Sequence, residues 1–279
     1  MNSQELVITV HDMQLAAIAW GDKMAPPLLA LHGWLDNAAS FSLLAPLIKH
    51  HYVVAVDLPG HGLSDHLPPG YHYHFVDSVE YILAVADVLG WQQFSMLGHS
   101  MGAAIGVLTA GTIPERIKQF VALDTLGPYT TPEALIPKQL RDYLTQFESV
   151  VGKAPKYYSD FAQAVTARQK NSDLTSAAAE VLAHRGVLMT QQGFCWRHDV
   201  RLLLRPPSYL TENQVKAFIT HITAPICLIH SSAFYQLHQH RCAWADDIDI
   251  HQVTGGHHAH LVNPQVVANV VNRWLTKGE

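Results

Sequence analysis

Charge is scarce in this chain. Of its 279 residues only 15% are Asp, Glu, Lys or Arg, against roughly 25% in an average soluble protein. The 18 basic and 23 acidic residues leave a formal net charge of −5. No run of Lys or Arg occurs, which excludes the electrostatic footprint of a nucleic-acid binder and of polybasic membrane docking. Cysteine is scarcer still. Cys195, Cys227 and Cys242 are odd in number, far apart and free of any CxxC spacing. They read as buried thiols of a reducing compartment, not as a disulfide framework or zinc ribbon. The first twenty residues lack the basic n-region and apolar block of a secretory signal, and no stretch reaches the ~18 uninterrupted apolar residues of a membrane-spanning helix. A cytoplasmic location is the expectation. Internal repeats and low-complexity tracts are missing too.

What is abundant is apolar residues, at 48%, and histidine, at 19. The first promises a large core; the second raises the idea of a metal protein. Short apolar runs at Leu6–Val10, Gln14–Trp20, Pro27–Leu31, Tyr52–Val56, Phe94–Leu97 and Gln119–Leu123 read as strands, several of them buried on both faces. Helical spacing separates them at Ser40–Lys49, Phe75–Leu89 and Met101–Thr112, with Gly90 placed as a C-terminal cap. This succession predicts an α/β protein with a parallel sheet. From Gly127 to about Tyr209 strand signals cease, and helical stretches are expected at Pro132–Val151, Pro155–Lys170, Leu174–Val187 and Arg197–Leu204. Alternation then resumes with a helix at Val215–His221, a strand at Pro225–His230, a helix at Tyr235–Ala245, a strand at Ile248–Val253 and a closing helix at Pro264–Leu275. Charge divides along the same line, +3 for residues 128–210 and −8 for the remainder.

The strongest chemical signal is Gly98-His99-Ser100-Met101-Gly102, a GxSxG placed directly after a strand and before a helix. A serine on so sharp a turn projects its hydroxyl above the sheet, and the flanking glycines avoid clashes with neighbouring backbone. Three further segments follow the same order of elements: Leu31-His32-Gly33-Trp34, Asp57-Leu58-Pro59-Gly60-His61-Gly62-Leu63-Ser64, and Gly256-His257 with Leu261 and Pro264 beyond it. On these residues the chain resembles an α/β-hydrolase with a helical lid. Its LHGWLDNAASF and ALDTLGP segments are most similar to the serine-hydrolase-like, esterase-type group.

That resemblance implies an eight-stranded, mostly parallel sheet flanked by helices, with a core of 1–126 and 211–279 and a lid of 127–210. It also implies a triad. A serine hydroxyl needs a base, and in this superfamily the base lies on the loop after the last strand. Here His257, His258 and His260 compete, and His257, directly after the glycine, fits the spacing. The acid departs from the commonest pattern. Many relatives carry it after the seventh strand, where this chain has Phe234. Others supply it from the end of the sixth strand, which is Asp124, 24 residues after Ser100. Asp246, Asp247 and Asp249 are the fallback, and a turn-capping role is the alternative for Asp124. The backbone N–H groups of Trp34 and Met101 would form the oxyanion hole. His32 and the Asp57 loop read as structural.

The HxH pairs at His72/His74, His238/His240 and His258/His260 have no Cys or carboxylate partner at metal spacing, and HExxH is absent. No metal or organic cofactor is expected, and most histidines read as loop or surface residues. The lid aromatics would enclose an apolar pocket, and Phe194–Asp199 reads as a latch between lid and core. The expected activity is acyl transfer on a small-to-medium apolar ester through an acyl-enzyme. C–C, amide or thioester hydrolysis, transfer to an acceptor other than water, and ligand binding on a vestigial scaffold remain open, as does the choice between monomer and homodimer.

Overall fold

The structure, a computed structural model, describes residues 2–151, 153–170, 172–231 and 239–278. Two opening strands, β1 (Ser3–Val10) and β2 (Met13–Trp20), pair antiparallel across a two-residue turn in which His11 takes φ +51°. They continue into β3 (Pro27–Leu31), β4 (Tyr52–Val56), β5 (Phe94–His99) and β6 (Ile117–Leu123). With the later β9 (Ile226–His230) and β10 (Ile248–Gln252) they form one eight-stranded sheet in the order β1-β2-β4-β3-β5-β6-β9-β10. All pairings from β4 onward are parallel. This is the α/β-hydrolase fold.

Strand alternation divides the core in two. Leu29, Leu31, Val54 and Val56 face one layer with Ile82 and Val85 of α1 (Ser78–Val88), Ile105 of α2 (Met101–Thr112) and Ile219 of α6 (Glu212–His221). Leu28, Ala30, Val53 and Ala55 face the other, against Phe41, Leu44 and Val267, Val271 and Trp274 of the closing helix Pro264–Leu275. Both faces are covered, so the central strands are apolar throughout, as a parallel sheet requires. Gly90 ends α1 at φ +76°, its N–H donating to the Asp87 carbonyl.

Between β6 and α6 lies an insert of three helices, α3 (Ile136–Val151), α4 (Phe161–Gln169) and α5 (Ser176–Gly186). Five expectations need correction. Ser40–Lys49 is not an α-helix but two 3-10 turns, Ala38–Phe41 and Ala45–Leu47, the second carrying Pro46. Strand structure does occur in the insert, as the hairpin β7 (Val187–Thr190) and β8 (Gly193–Trp196). The helix expected from Pro155 starts only at Phe161, where the Asp160 side chain caps it through the Gln163 N–H, and Arg197–Leu204 holds only a 3-10 turn at Val200–Leu203. The helix expected at Tyr235–Ala245 falls partly outside the described residues; Gln239–Trp244 is 3-10. Among the described residues no helix is long and apolar enough to cross a membrane.

Candidate active site

Four strands deliver their next residues to one end of the sheet: β3 leads to His32-Gly33-Trp34, β5 to Ser100, β6 to Asp124 and β10 to the His257 loop. Carboxyl ends of parallel strands are where ligands bind in such sheets. Ser100 stands between β5 and α2 at φ +50°, ψ −113°. A non-glycine residue rarely adopts this conformation, and the neighbours enforce it. A Cβ at Gly102 would run into the Leu31 carbonyl, and one at Gly98 into the Ala103 backbone. The Ser100 N–H donates to the Leu123 carbonyl at 3.0 Å and its carbonyl accepts from Ala104 at 2.9 Å.

The structure brings Ser100, His257 and Asp124 together. Ser100 Oγ lies 2.9 Å from His257 Nε2, and His257 Nδ1 lies 2.6 Å from Asp124 Oδ2. Asp124 is buried and at φ +61°, its backbone N–H donating to Ile229 O on β9. The other competitors are elsewhere. Asp246 and Asp247 are exposed before β10, and Asp249 pairs with Lys277 at 3.1 Å. Phe234 lies outside the described residues. His260 is buried against Ser40 Oγ at 2.7 Å, and its burial drives its pKa down to about 3.

His258 is buried too. Burial would lower its pKa, but hydrogen bonds and charges from Asp173 and Asp36 outweigh that and raise it to about 9. Asp173, between α4 and α5, takes His258 Nδ1 on Oδ1 at 2.7 Å and the His257 backbone N–H on Oδ2. Asp36, 2% exposed, lies 3.5 Å from His258 Nε2 and 2.5 Å from the Arg168 guanidinium of α4. His99, 1% exposed, donates from Nε2 to the His257 carbonyl at 2.8 Å. These partners were not legible beforehand. Asp36 stands in the quoted LDN segment, but Asp173 meets His257 across 84 residues with no motif to mark it.

Trp34 is 52% exposed and its indole donates to Leu202 O of the insert at 2.9 Å. It belongs to a turn closed by Asp36 N–H to Gly33 O, with Leu35 at φ +59°. Met101 opens α2, so its N–H has no acceptor within the helix. The structural reading of His32 and Asp57 follows from their contacts. His32 Nε2 accepts from Leu58 N–H at 3.0 Å, which puts its proton on Nδ1 toward Gly33 O. Asp57 accepts from Ala38 N–H, Leu63 N–H and Arg185 Nε.

Most of the described histidines lie in loops or at the surface, but His32, His51, His61, His99, His230, His258 and His260 are buried. Among the described residues, Asp36, His99 and His258 could offer three donor atoms within 4.8 Å to a cation. Their charge balance disfavours one. Arg168 already pairs with one Asp36 oxygen, and His258, its pKa raised to about 9, faces Asp36 and Asp173 as a cation near neutral pH. The HxH pairs are spent separately. His72 bonds Tyr143 OH, His240 bonds Glu212, and His258 and His260 diverge at the start of a helical turn; His238 lies outside the described residues.

Fold and site define a serine-hydrolase-like protein, and the comparisons agree. A family model described as alpha/beta hydrolase fold matches residues 26–182. The chain is 31% identical to "Serine hydrolase-like protein 2" of Homo sapiens, covering 97% of this chain and 93% of that one. It is 29% identical to a "Serine hydrolase-like protein" of Danio rerio over 94% of this chain and 85% of the other. A hypothetical protein of Pseudomonas aeruginosa PAO1, solved by crystallography, superposes with TM-score 0.93 at 36% identity over 99% of both chains. The chain belongs to the α/β-hydrolase fold family, in its serine-hydrolase-like group.

Proposed function

We propose that the chain is a carboxylic ester hydrolase working through Ser100, His257 and Asp124, with the 127–210 insert as its lid. The observation that carries this reading is the unbroken hydrogen-bonded line from Asp124 Oδ2 through His257 to Ser100 Oγ at the strand-to-helix turn. Asp124 accepts a hydrogen bond from Nδ1–H, which leaves the Nε2 lone pair facing the serine hydroxyl. Nε2 takes the hydroxyl proton as Ser100 attacks an ester carbonyl, and the Met101 and Trp34 N–H groups hold the tetrahedral oxyanion. The imidazolium then protonates the leaving alcohol, and water repeats the sequence on the acyl-enzyme. Because the nucleophile is Ser and not Asp, chemistry that needs an alkyl ester on a carboxylate is disfavoured. The exposed Trp34 indole, tied to the insert at Leu202, would flank an apolar acyl chain. A p-nitrophenyl ester series from acetate to decanoate tests substrate class: a rise and fall with chain length supports the ester reading, and flat, near-zero rates contradict it.

A further inference from the structure

The peptide of His257 is gripped from both sides. Its carbonyl accepts from His99, the residue before Ser100, and its N–H donates to Asp173 of the insert. Behind it runs a line of alternating charge: Arg168, Asp36, His258, Asp173. The first and last members belong to α4 and the turn after it; the middle two belong to the core. A base that must lie within about 3 Å of its proton is sensitive to small displacements, since about 1 Å can cost ~100-fold in rate. An insert carboxylate on the His257 N–H therefore sets where that base sits.

We infer that Asp173 is a positioning residue for His257, so that the base is aligned on Ser100 only while the insert is docked on the core. This rests on the acyl-enzyme reading above. His258 is the element that makes the arrangement sensitive to pH; the groups facing it are Asp173 from the insert and Asp36, His99, His257 and His260 from the core, with Arg168 of the insert on the far side of Asp36. As a cation His258 bridges two carboxylates. Once it is neutral, Asp36 keeps its pair with Arg168 but Asp173 loses the cation between the two carboxylates, and the grip on the loop loosens.

The test uses the full chain, a fluorophosphonate probe, and histidine amide and ring signals by nuclear magnetic resonance, for wild type, Asp173→Ala and the isosteric Asp173→Asn. Expected are a downfield His257 amide proton in wild type that moves upfield in Asp173→Ala, and phosphonylation of Ser100 slowed by about 10- to 100-fold in that variant. In Asp173→Asn the His258 titration and the alkaline limb of the labelling rate should both move to lower pH, a shift that loss of packing alone would not produce. An unchanged amide signal, or equal labelling rates and pH limbs in wild type and both variants, overturns the role given to Asp173. Should Asp173→Ala misfold, Asp173→Asn carries the test alone. A wild-type chain that takes no phosphonate contradicts the acyl-enzyme reading itself, and with it this inference, and is a different result from equal labelling.

Discussion

Ser231 holds Asp124 by two donors on one oxygen: its backbone N–H is 2.6 Å and its hydroxyl 2.9 Å from Oδ1. Among the described residues, Oδ2 bonds His257. The carboxylate at the end of β6 is thus steered from β9, the strand beside it. Asp124→Asn keeps the shape but offers the wrong tautomer to the imidazole, and should lower kcat by about 10⁴-fold. Ser231→Ala removes one of the two donors and should cost about 10-fold or less. Steady-state kinetics on one ester measures both, and wild-type turnover in Asp124→Asn would contradict the assignment of the acid.

Gly102→Ala should be far more damaging than an alanine normally is in a helix, because the added Cβ meets the Leu31 carbonyl on β3. The expected outcome is a lower melting temperature together with loss of activity, since Ser100 and the His32–Trp34 turn must part to make room. Thermal denaturation followed by circular dichroism checks it.

Arg185 of α5 is buried between Asp57 and Glu5, with Nε 2.8 Å from Asp57 Oδ2 and Nη1 2.8 Å from Glu5. Removing one partner of a buried pair leaves an uncompensated charge, so Arg185→Ala should destabilise by about 3–5 kcal/mol. Chemical denaturation provides the number, and a change under 1 kcal/mol would show that the pair contributes little to holding the insert.

Stability should peak near pH 6.5, the ordinary histidine pKa. Burial lowers the pKa of His32, His61, His99, His198 and His260. Below 6.5 the unfolded chain takes up protons at these positions that the folded chain refuses, so stability falls as pH falls. His258 runs the other way: raised to about 9, it holds a proton in the folded state that the unfolded chain gives up. Its contribution is complete below 6.5 and lost as pH rises through 9. Melting temperature against pH from 4 to 10 should rise and then decline, and a flat profile would contradict the burial of these rings.

Much of this was legible because the information is local. Each apolar run became a strand, and the GxSxG turn needs its glycines within two residues of Ser100. Asp124 could be named because the resemblance supplied a position for it. The buried histidines could not, since the letter carries no sign of burial and the ring bonds to partners far along the chain, as His260 does to Ser40. Asp173 was missed for the same reason. The β7–β8 hairpin turns at Gln191 and Gln192, just before Gly193 at φ +118°, and its four-residue strands are too short to show an alternating pattern.

The central claim is that Ser100 is the nucleophile of an acyl-enzyme mechanism. Intact mass of the folded protein after reaction with a fluorophosphonate, followed by peptide mapping, tests it most directly. The expected result is one adduct per chain, on Ser100, absent in Ser100→Ala and formed far more slowly in His257→Gln. No adduct on folded wild-type protein, or one that persists in Ser100→Ala, would contradict it.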